Sequence, residues 1–378
     1  MDSNITVLAI SMGALLCAML VSLVAIIEAK KHATKLGLVD EPDHRKVHIS
    51  PIPRVGGIGI ITGFFAGILF LQIVNDVFPM SHSILNLPDR FLLTGAIVIA
   101  VTGLVDDFRG ISFRQKLVVQ CLVSVYIILA GYRLNLDFGI YPGYAKALSV
   151  PITFMWIIGV TNAVNLIDGL DGLAGGIFLI SLLVISICSV IAGIAVPIVL
   201  IFCMVGAVLG FLFLNWHPAK TFMGDSGSLF LGYIIACYSL QTTIEPQGFF
   251  VFLVPVLAVG LPVLDTLLSM IRRLLRGRPM FYPDKDHIHH RIQRVFNYSQ
   301  RQTVYSLYAI NALLGCFAIA LMLAGTIQGL FITLAASLFV ILLLYRLRYI
   351  SIEKLKHYIH RRRKPKRVYA APMITFGK

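Results

Sequence analysis

Apolar stretches close to the length of a bilayer crossing recur along the whole chain. They fall near 6–27, 55–75, 90–105, 116–131, 149–166, 174–192, 195–214, 227–242, 248–270, 304–325 and 328–345. A helix needs about 20 residues to cross the hydrocarbon core. Lipid offers no partner to an unpaired backbone N–H or C=O. These runs are too long and too continuous for barrel strands. They predict an all-α, polytopic integral membrane protein with about eleven transmembrane helices. Only 13% of the residues are charged, against about 25% in soluble domains, which supports the same class.

The net charge of +14 has two readings, a nucleic-acid partner or the cytoplasmic side of a membrane protein. The opening MDSN has no Lys or Arg, the first apolar run is too long for a signal sequence, and Lys30 and Lys31 follow it. That order predicts a first crossing with its N-terminus outside. Segments 28–54, 105–116, 215–226, 270–303 and 346–378 then face the cytoplasm. They hold 29 of the 32 Lys and Arg residues, leaving Arg90, Arg133 and Lys146 on the other side. The charge is therefore a topology marker that places the C-terminus in the cytoplasm and requires no nucleic acid. The stretch HRRRKPKR (360–367) suits an anionic lipid surface, although a solvated stop-transfer tail is the simpler reading. All six cysteines lie inside apolar runs without a C-x-x-C pair, so they read as packing residues. No internal repeat or low-complexity linker divides the chain. The expected organisation is one membrane-embedded domain, 1–350, and a basic tail, 351–378. The loops expected to carry the active site are 28–54, 105–116, 162–175, 215–226 and 270–303.

Eighteen acids are few, so their placement is informative. Asp106 and Asp107 close the third apolar run in VTGLVDDFRG. Asp168 and Asp171 follow the fifth in NAVNLIDGLDGLAGG. Asp225 opens the eighth in FMGDSGSLFLG, Asp265 lies in LPVLDTLL, and Asp284 and Asp286 lie in FYPDKDHIHHR. On the predicted topology all of these face one side. An acid near hydrocarbon is costly unless paired, solvated or metal-bound, and several at one depth repel one another. Mg²⁺ with phosphate oxygens removes that conflict. Asp168 and Asp171 are three residues apart and share a face on a helical turn. The surrounding glycines allow a close backbone approach, and the start of the next helix favours an anion. Each motif alone fits an ordinary cap or turn, but the convergence of several points to function.

Other motifs are more ambiguous. Arg45, Lys46, His48 and Arg54 lie in a proline-broken loop that offers cations to an anion or serves as a plain stop-transfer segment. HIHH (287–290), flanked by Lys285, Arg291 and Arg294, lacks a second ligand pair for zinc. Phosphate or sugar contacts and an amphipathic surface segment are evenly balanced for it. GDSGS (224–228) matches the nucleophile segment of trypsin-like proteases, but here it opens an apolar helix. Ser226 and Ser228 read better as cap or phosphate-contact residues.

Five segments in order, GLVDEPDHRKVHISPIPRVGG, GLVDD, NAVNLIDGLDGLAGG, FMGDSGSLFLG and PVLDTLLSMIRRLLRGRPMFYPDKDHIHHR, span residues 37–291. Together they resemble the polyprenyl-phosphate N-acetylhexosamine-1-phosphate transferases, also called glycosyltransferase family 4. The HIHH loop looks more like the WecA/TagO branch than MraY. The resemblance implies a Mg²⁺-dependent enzyme, with Mn²⁺ an open alternative, in the bacterial cytoplasmic membrane. Polyprenyl phosphate, here undecaprenyl phosphate, attacks the sugar-bearing phosphate of a UDP-N-acetylhexosamine, with UDP-GlcNAc the best match. UMP leaves, and a lipid-linked cell-surface glycan is started. By matching position, Asp225 and Asp107 are the implied metal ligands. Asp106 and Asp107 handle the lipid phosphate and, with Asp168 and Asp171, form the implied catalytic set. Asn162, Asn165, Asp168 and Asp171 shape the nucleotide site. Arg45, Lys46, His48, Lys116, His287, His289, His290 and Arg291 contact sugar or phosphate. Gly110 stands where some members carry a third acid after the DD pair. Surrounding lipid is an implied partner, and a homodimer stays open. Two rivals are weighed: a transporter, which places acids along a mid-membrane path, and an intramembrane aromatic prenyltransferase, which repeats its acidic motif on paired helices.

Overall fold

The computed structural model describes residues 2–41, 50–77, 87–135, 142–194, 198–243, 249–275, 277 and 286–349. The described chain is helical apart from one short antiparallel pair, β1 (Val39–Asp40) and β2 (Ile52–Pro53), with Val39 opposite Pro53. The helices in order are α1 (Asp2–His32), α2 (Gly56–Val77), α3 (Leu87–Arg109), α4 (Phe113–Leu129), α5 (Pro142–Ile167), α6 (Leu173–Ile191) and α7 (Ile198–Asn215). They continue as α8 (Gly224–Gln241), α9 (Val254–Ala258), α10 (Gly260–Leu275), α11 (Ile288–Phe296), α12 (Gln300–Met322) and α13 (Thr326–Arg346).

Over the described residues each of the eleven apolar stretches is largely helical, but their lengths are unequal. Seven helices are long and apolar enough to cross a membrane, or eight if the bent pair Val251–Ala258 and Gly260–Leu275 forms one span. The shortfall from eleven has physical causes. α4 has only 17 residues. α7 reaches only the shorter class, over Val199–Asn215. α8 opens with the polar GDSGS segment. The ninth stretch breaks by 83° between α9 and α10, at the sequence Val259-Gly260-Leu261-Pro262. A proline is tolerated in the first turn of the new helix. There Asn311 of α12 accepts from the Leu261 N–H at 3.3 Å.

α8 is the axis of the bundle. Every residue from Ser226 to Gln241 is buried, with α2, α3, α5, α6 and α9 around it. This explains why so short and polar-tipped a helix can exist there: its neighbours, rather than lipid, receive its polar groups. α13 is the opposite case. It packs on α12, and its only buried residues are Gly329 and Ala336.

Several contacts gather the same ends of the helices. Gly56 and Gly57 N–H donate to the Phe222 and Met223 carbonyls at 2.9 and 2.7 Å. Phe222 N–H returns to Pro53 O at 2.8 Å. The segment after β2 is thereby stitched to the entrance of α8. A Cβ on Gly57 would collide with Ser226 Oγ and Gly227 N, so only glycine lets α2 approach there.

Candidate functional site

The centre of the acidic end is the N-terminus of α8. Its first N–H groups have no partners within the helix. Asp107, from the last turn of α3, supplies them: Oδ1 accepts from Asp225 N–H at 2.8 Å and Oδ2 from Ser226 N–H at 3.0 Å. Charged hydrogen bonds of this type contribute about 1.5–3 kcal/mol each, and the helix dipole adds to them. They offset the burial of Asp107, which is 9% exposed. Gly224 takes φ +75° beside this carboxylate, a backbone conformation that L side chains disfavour.

Asp225 then projects from the first turn of α8. Its Oδ1 accepts from Asn165 Nδ2 of α5 at 3.1 Å, and its Oδ2 from Lys116 Nζ of α4 at 2.6 Å. The same ammonium reaches Asp106 Oδ2 at 2.7 Å. Asp106 Oδ1 accepts from Ile111 N–H, 2.7 Å away in the α3–α4 turn. Asn165 also donates to Ser228 Oγ at 2.8 Å. Four separate helices therefore contribute Asp106, Lys116, Asn165 and Asp225 to one network.

The α5–α6 loop adds Asp168. This half-buried carboxylate has no hydrogen-bond partner among the described residues. Burial, then the nearby Asp225 and Asp107 charges, lift its pKa to about 7. Asp171 is engaged differently. Its Oδ2 lies 2.7 Å from His217 Nδ1 and accepts from Ala219 N–H at 3.1 Å. Gly172 N–H donates to Asn215 Oδ1 at 2.8 Å, and Tyr308 Oη donates to Gly172 O at 2.6 Å. The second half of the loop is therefore strapped to the α7–α8 connection and to α12.

α11 closes the other side. His287 precedes it, with Nδ1 2.9 Å from Asp265 Oδ2 of α10, while Ile288 N–H donates to Asp265 Oδ1 at 2.8 Å. His289 lies beside Gly169: a Cβ there would stand 3.4 Å from His289 Cε1. Burial, reinforced by His290, pushes the His289 pKa down to about 3, so it is neutral at physiological pH. His290 is lowered as well, by burial and then by His287. From the first half of α11, Arg291 donates to Asp286 Oδ2 at 2.9 Å and to the Arg348 and Leu347 carbonyls at 3.0 and 3.3 Å. Its guanidinium lies 3.8 Å from the centre of the Tyr349 ring.

The donors around Asp168, Asp225 and Asp106 are all oxygen, the chemistry of Mg²⁺ or Mn²⁺ rather than zinc. Among the described residues no three His, Cys, Asp or Glu side chains form a ready ligand group. The Lys116 ammonium lies between two of the carboxylates, and Asp168 remains without a partner. Carboxylate oxygens are the donor type that suits a hard cation.

Comparison with known proteins gives the lineage. The family model described as glycosyl transferase family 4 matches residues 90–243. The chain is 36% identical over 308 residues to a Bacillus subtilis protein named probable undecaprenyl-phosphate N-acetylglucosaminyl 1-phosphate transferase, covering 80% of this chain and 82% of the relative. The chain belongs to glycosyl transferase family 4. It is also 32% identical over 302 residues to the decaprenyl-phosphate N-acetylglucosaminephosphotransferase of Mycobacterium tuberculosis, covering 73% and 74% of the two chains. An Escherichia coli undecaprenyl-phosphate alpha-N-acetylglucosaminyl 1-phosphate transferase is 31% identical over 302 residues, covering 77% and 78%.

Within this family 4 chain the structure sorts the expected site residues. Asp106, Asp107, Lys116, Asn165, Asp168 and Asp225 come together, and His289 reaches the same loop. Both oxygens of Asp107 accept N–H groups of α8, whereas Asp106 and Asp225 each give one oxygen to the Lys116 ammonium. Asn162 faces α4, donating to Gln120 Oε1 at 2.7 Å and to Ile158 O at 2.8 Å, and reads as an interhelical brace. Asp171 braces a loop, and Arg291 ties α11 to the end of α13. Ser226 and Ser228 are each 1% exposed and so are not open phosphate contacts. Arg45, Lys46, His48, Asp284, Lys285 and the tail 351–378 lie outside the described residues. The sequence reading missed His217, Asn215 and Gln120, and left Asp265 without a role. Their spacing carries no motif; only the bend at α9–α10 and the α7–α8 turn bring them in.

Proposed function

We propose that this chain transfers N-acetylglucosamine 1-phosphate from UDP-GlcNAc to undecaprenyl phosphate, releasing UMP and starting a lipid-linked glycan. The observation that carries this reading is the junction of Asp106, Lys116, Asn165 and Asp225 at one end of the bundle, beside the unpartnered Asp168. The names of the relatives support the same chemistry. Two phosphorylated reactants repel each other, and a site that mixes carboxylates with a lysine suits bringing them together.

Asp168, Asp225 and Asp106 are the residues assigned to Mg²⁺, with Mn²⁺ as the alternative. The ion supplies charge neutralisation to the phosphates. Asp107 holds the start of α8 so that Asp225 faces the site. Lys116, released from its two carboxylates, reaches the lipid phosphate. His287, His289 and His290 lie where the donor enters, past Gly169. Eleven crossings, with α8 shielded from lipid and α9–α10 as one bent span, put the N-terminus outside and the site at the cytoplasmic face of the bacterial inner membrane. Cytosolic nucleotide and lipid head group meet there. The charge distribution supports that orientation.

The test is transfer by purified protein in detergent. UMP release that requires the lipid phosphate, the UDP-sugar and a divalent ion together supports the reading. Ion flux in proteoliposomes without UMP release would defeat it. A panel of UDP-N-acetylhexosamines decides the sugar.

A further inference from the structure

The proposed reaction leaves Asp265 without work, yet its surroundings are built with care. It is 3% exposed, in the middle of α10, and both carboxylate oxygens are used on one short segment. Oδ1 accepts the Ile288 N–H at 2.8 Å, and Oδ2 meets His287 Nδ1 at 2.9 Å. His287 occupies the cap position of α11, but its own side chain makes no capping hydrogen bond. Asp265 performs that task from another helix, and the His287 ring is turned towards it. His287 and His289 then stack with planes 2° apart and centroids 5.8 Å apart. His289 is 5% exposed, its Nδ1 has no partner, and its edge rests against Gly169, next to Asp168.

A carboxylate has no hydrogen to donate, so the proton of this contact lies on His287 Nδ1. That leaves Nε2 as the nitrogen open to a ligand. We propose that Asp265 is a positioning residue. It fixes the tautomer and angle of His287, and through the stacked ring it sets His289 against the Asp168 loop, to grip the diphosphate of a nucleoside-diphosphate sugar. Carboxylates that orient a ligand-binding imidazole act in this way at metal centres. The inference rests on the transfer reading above and assigns the donor-binding corner of that same site.

Asp265→Asn is the informative variant, because its Oδ1 still accepts the Ile288 N–H while its amide group now donates to His287 Nδ1. The tautomer reverses without uncapping α11. We expect the KM for the UDP-sugar to rise about 10- to 100-fold in Asp265→Asn and in His287→Gln. The KM for the lipid phosphate stays unchanged, and Asp265→Glu recovers part of the loss. The double variant is no worse than His287→Gln alone, since both changes break one arrangement. Additive losses, or a normal donor KM in Asp265→Asn, overturn the inference. ¹⁵N spectra of histidine-labelled protein give a second reading that needs no turnover. The His287 Nδ1 resonance, assigned by its loss in His287→Gln, is that of a protonated nitrogen and moves in Asp265→Asn. If it does not move, the pairing is refuted. If the wild-type protein transfers nothing from a UDP-sugar, the transfer reading falls while the spectra still decide the role of Asp265.

Discussion

The entrance of α8 and the histidine arm on α11 face each other across the Asp168 loop but are held by opposite means. At α8 the positions are set by backbone. A helix terminus is capped by Asp107, and Gly57 allows α2 to close in. The arm is a nine-residue helix suspended by side chains in its N-terminal half, through Asp265 and the Asp286–Arg291–Tyr349 cluster. Backbone-set geometry suits a step in which charge must meet fixed groups. A side-chain suspension suits a group that must admit and release a large donor.

The largest test of this contrast is at α8. Asp225→Asn and Asp107→Asn both lower turnover about 100- to 1,000-fold, but they separate in stability. An Asn at 107 presents an amide N–H₂ to one of the α8 N–H groups, donor against donor, a loss of about 1–3 kcal/mol. Thermal unfolding should therefore shift down in Asp107→Asn and hardly at all in Asp225→Asn. Equal shifts would mean that Asp107 is not the cap.

Lys116→Met comes next. Removing the ammonium leaves Asp106 and Asp225 unneutralised. Binding of Mn²⁺ to the substrate-free protein, followed by electron paramagnetic resonance, should tighten about tenfold, the equivalent of one pKa unit of electrostatic coupling, while turnover is lost. Weaker binding would make Lys116 a support of the ion site rather than its competitor.

Arg291→Ala removes the second attachment of the arm. Hydrogen exchange of 286–296 should quicken while α8 stays protected, with a raised donor KM. Faster exchange in both regions would erase the distinction.

The smallest effect concerns Asp168. Its folded-state pKa, about 7, lies above the ordinary carboxylate range, so its charge opposes folding. That opposition is absent below the unfolded-state pKa, grows as pH rises towards 7, and levels off above it. Asp168→Asn should raise the melting temperature by about 2–4 °C at pH 8 and by less at pH 5. A gain independent of pH would contradict the acid crowding.

Much of this protein was legible in one dimension. Hydrophobic length specifies helices in lipid because the backbone has no other way to satisfy itself, and over the described residues all eleven apolar stretches are largely helical. Acids near such helices need a reason, and Asp106, Asp168 and Asp225 did converge. The sequence could not assign work within that group. Asp107 and Asp225 look alike in the chain, and so do Asp168 and Asp171. In each pair one is committed to structure, by a helix terminus or by His217, and the other is left facing the site. That division depends on which backbone N–H or ring nitrogen lies within about 3 Å, a distance set by close packing between residues 46 to 119 positions apart. Composition and periodicity carry no record of it; the tertiary contact alone decides.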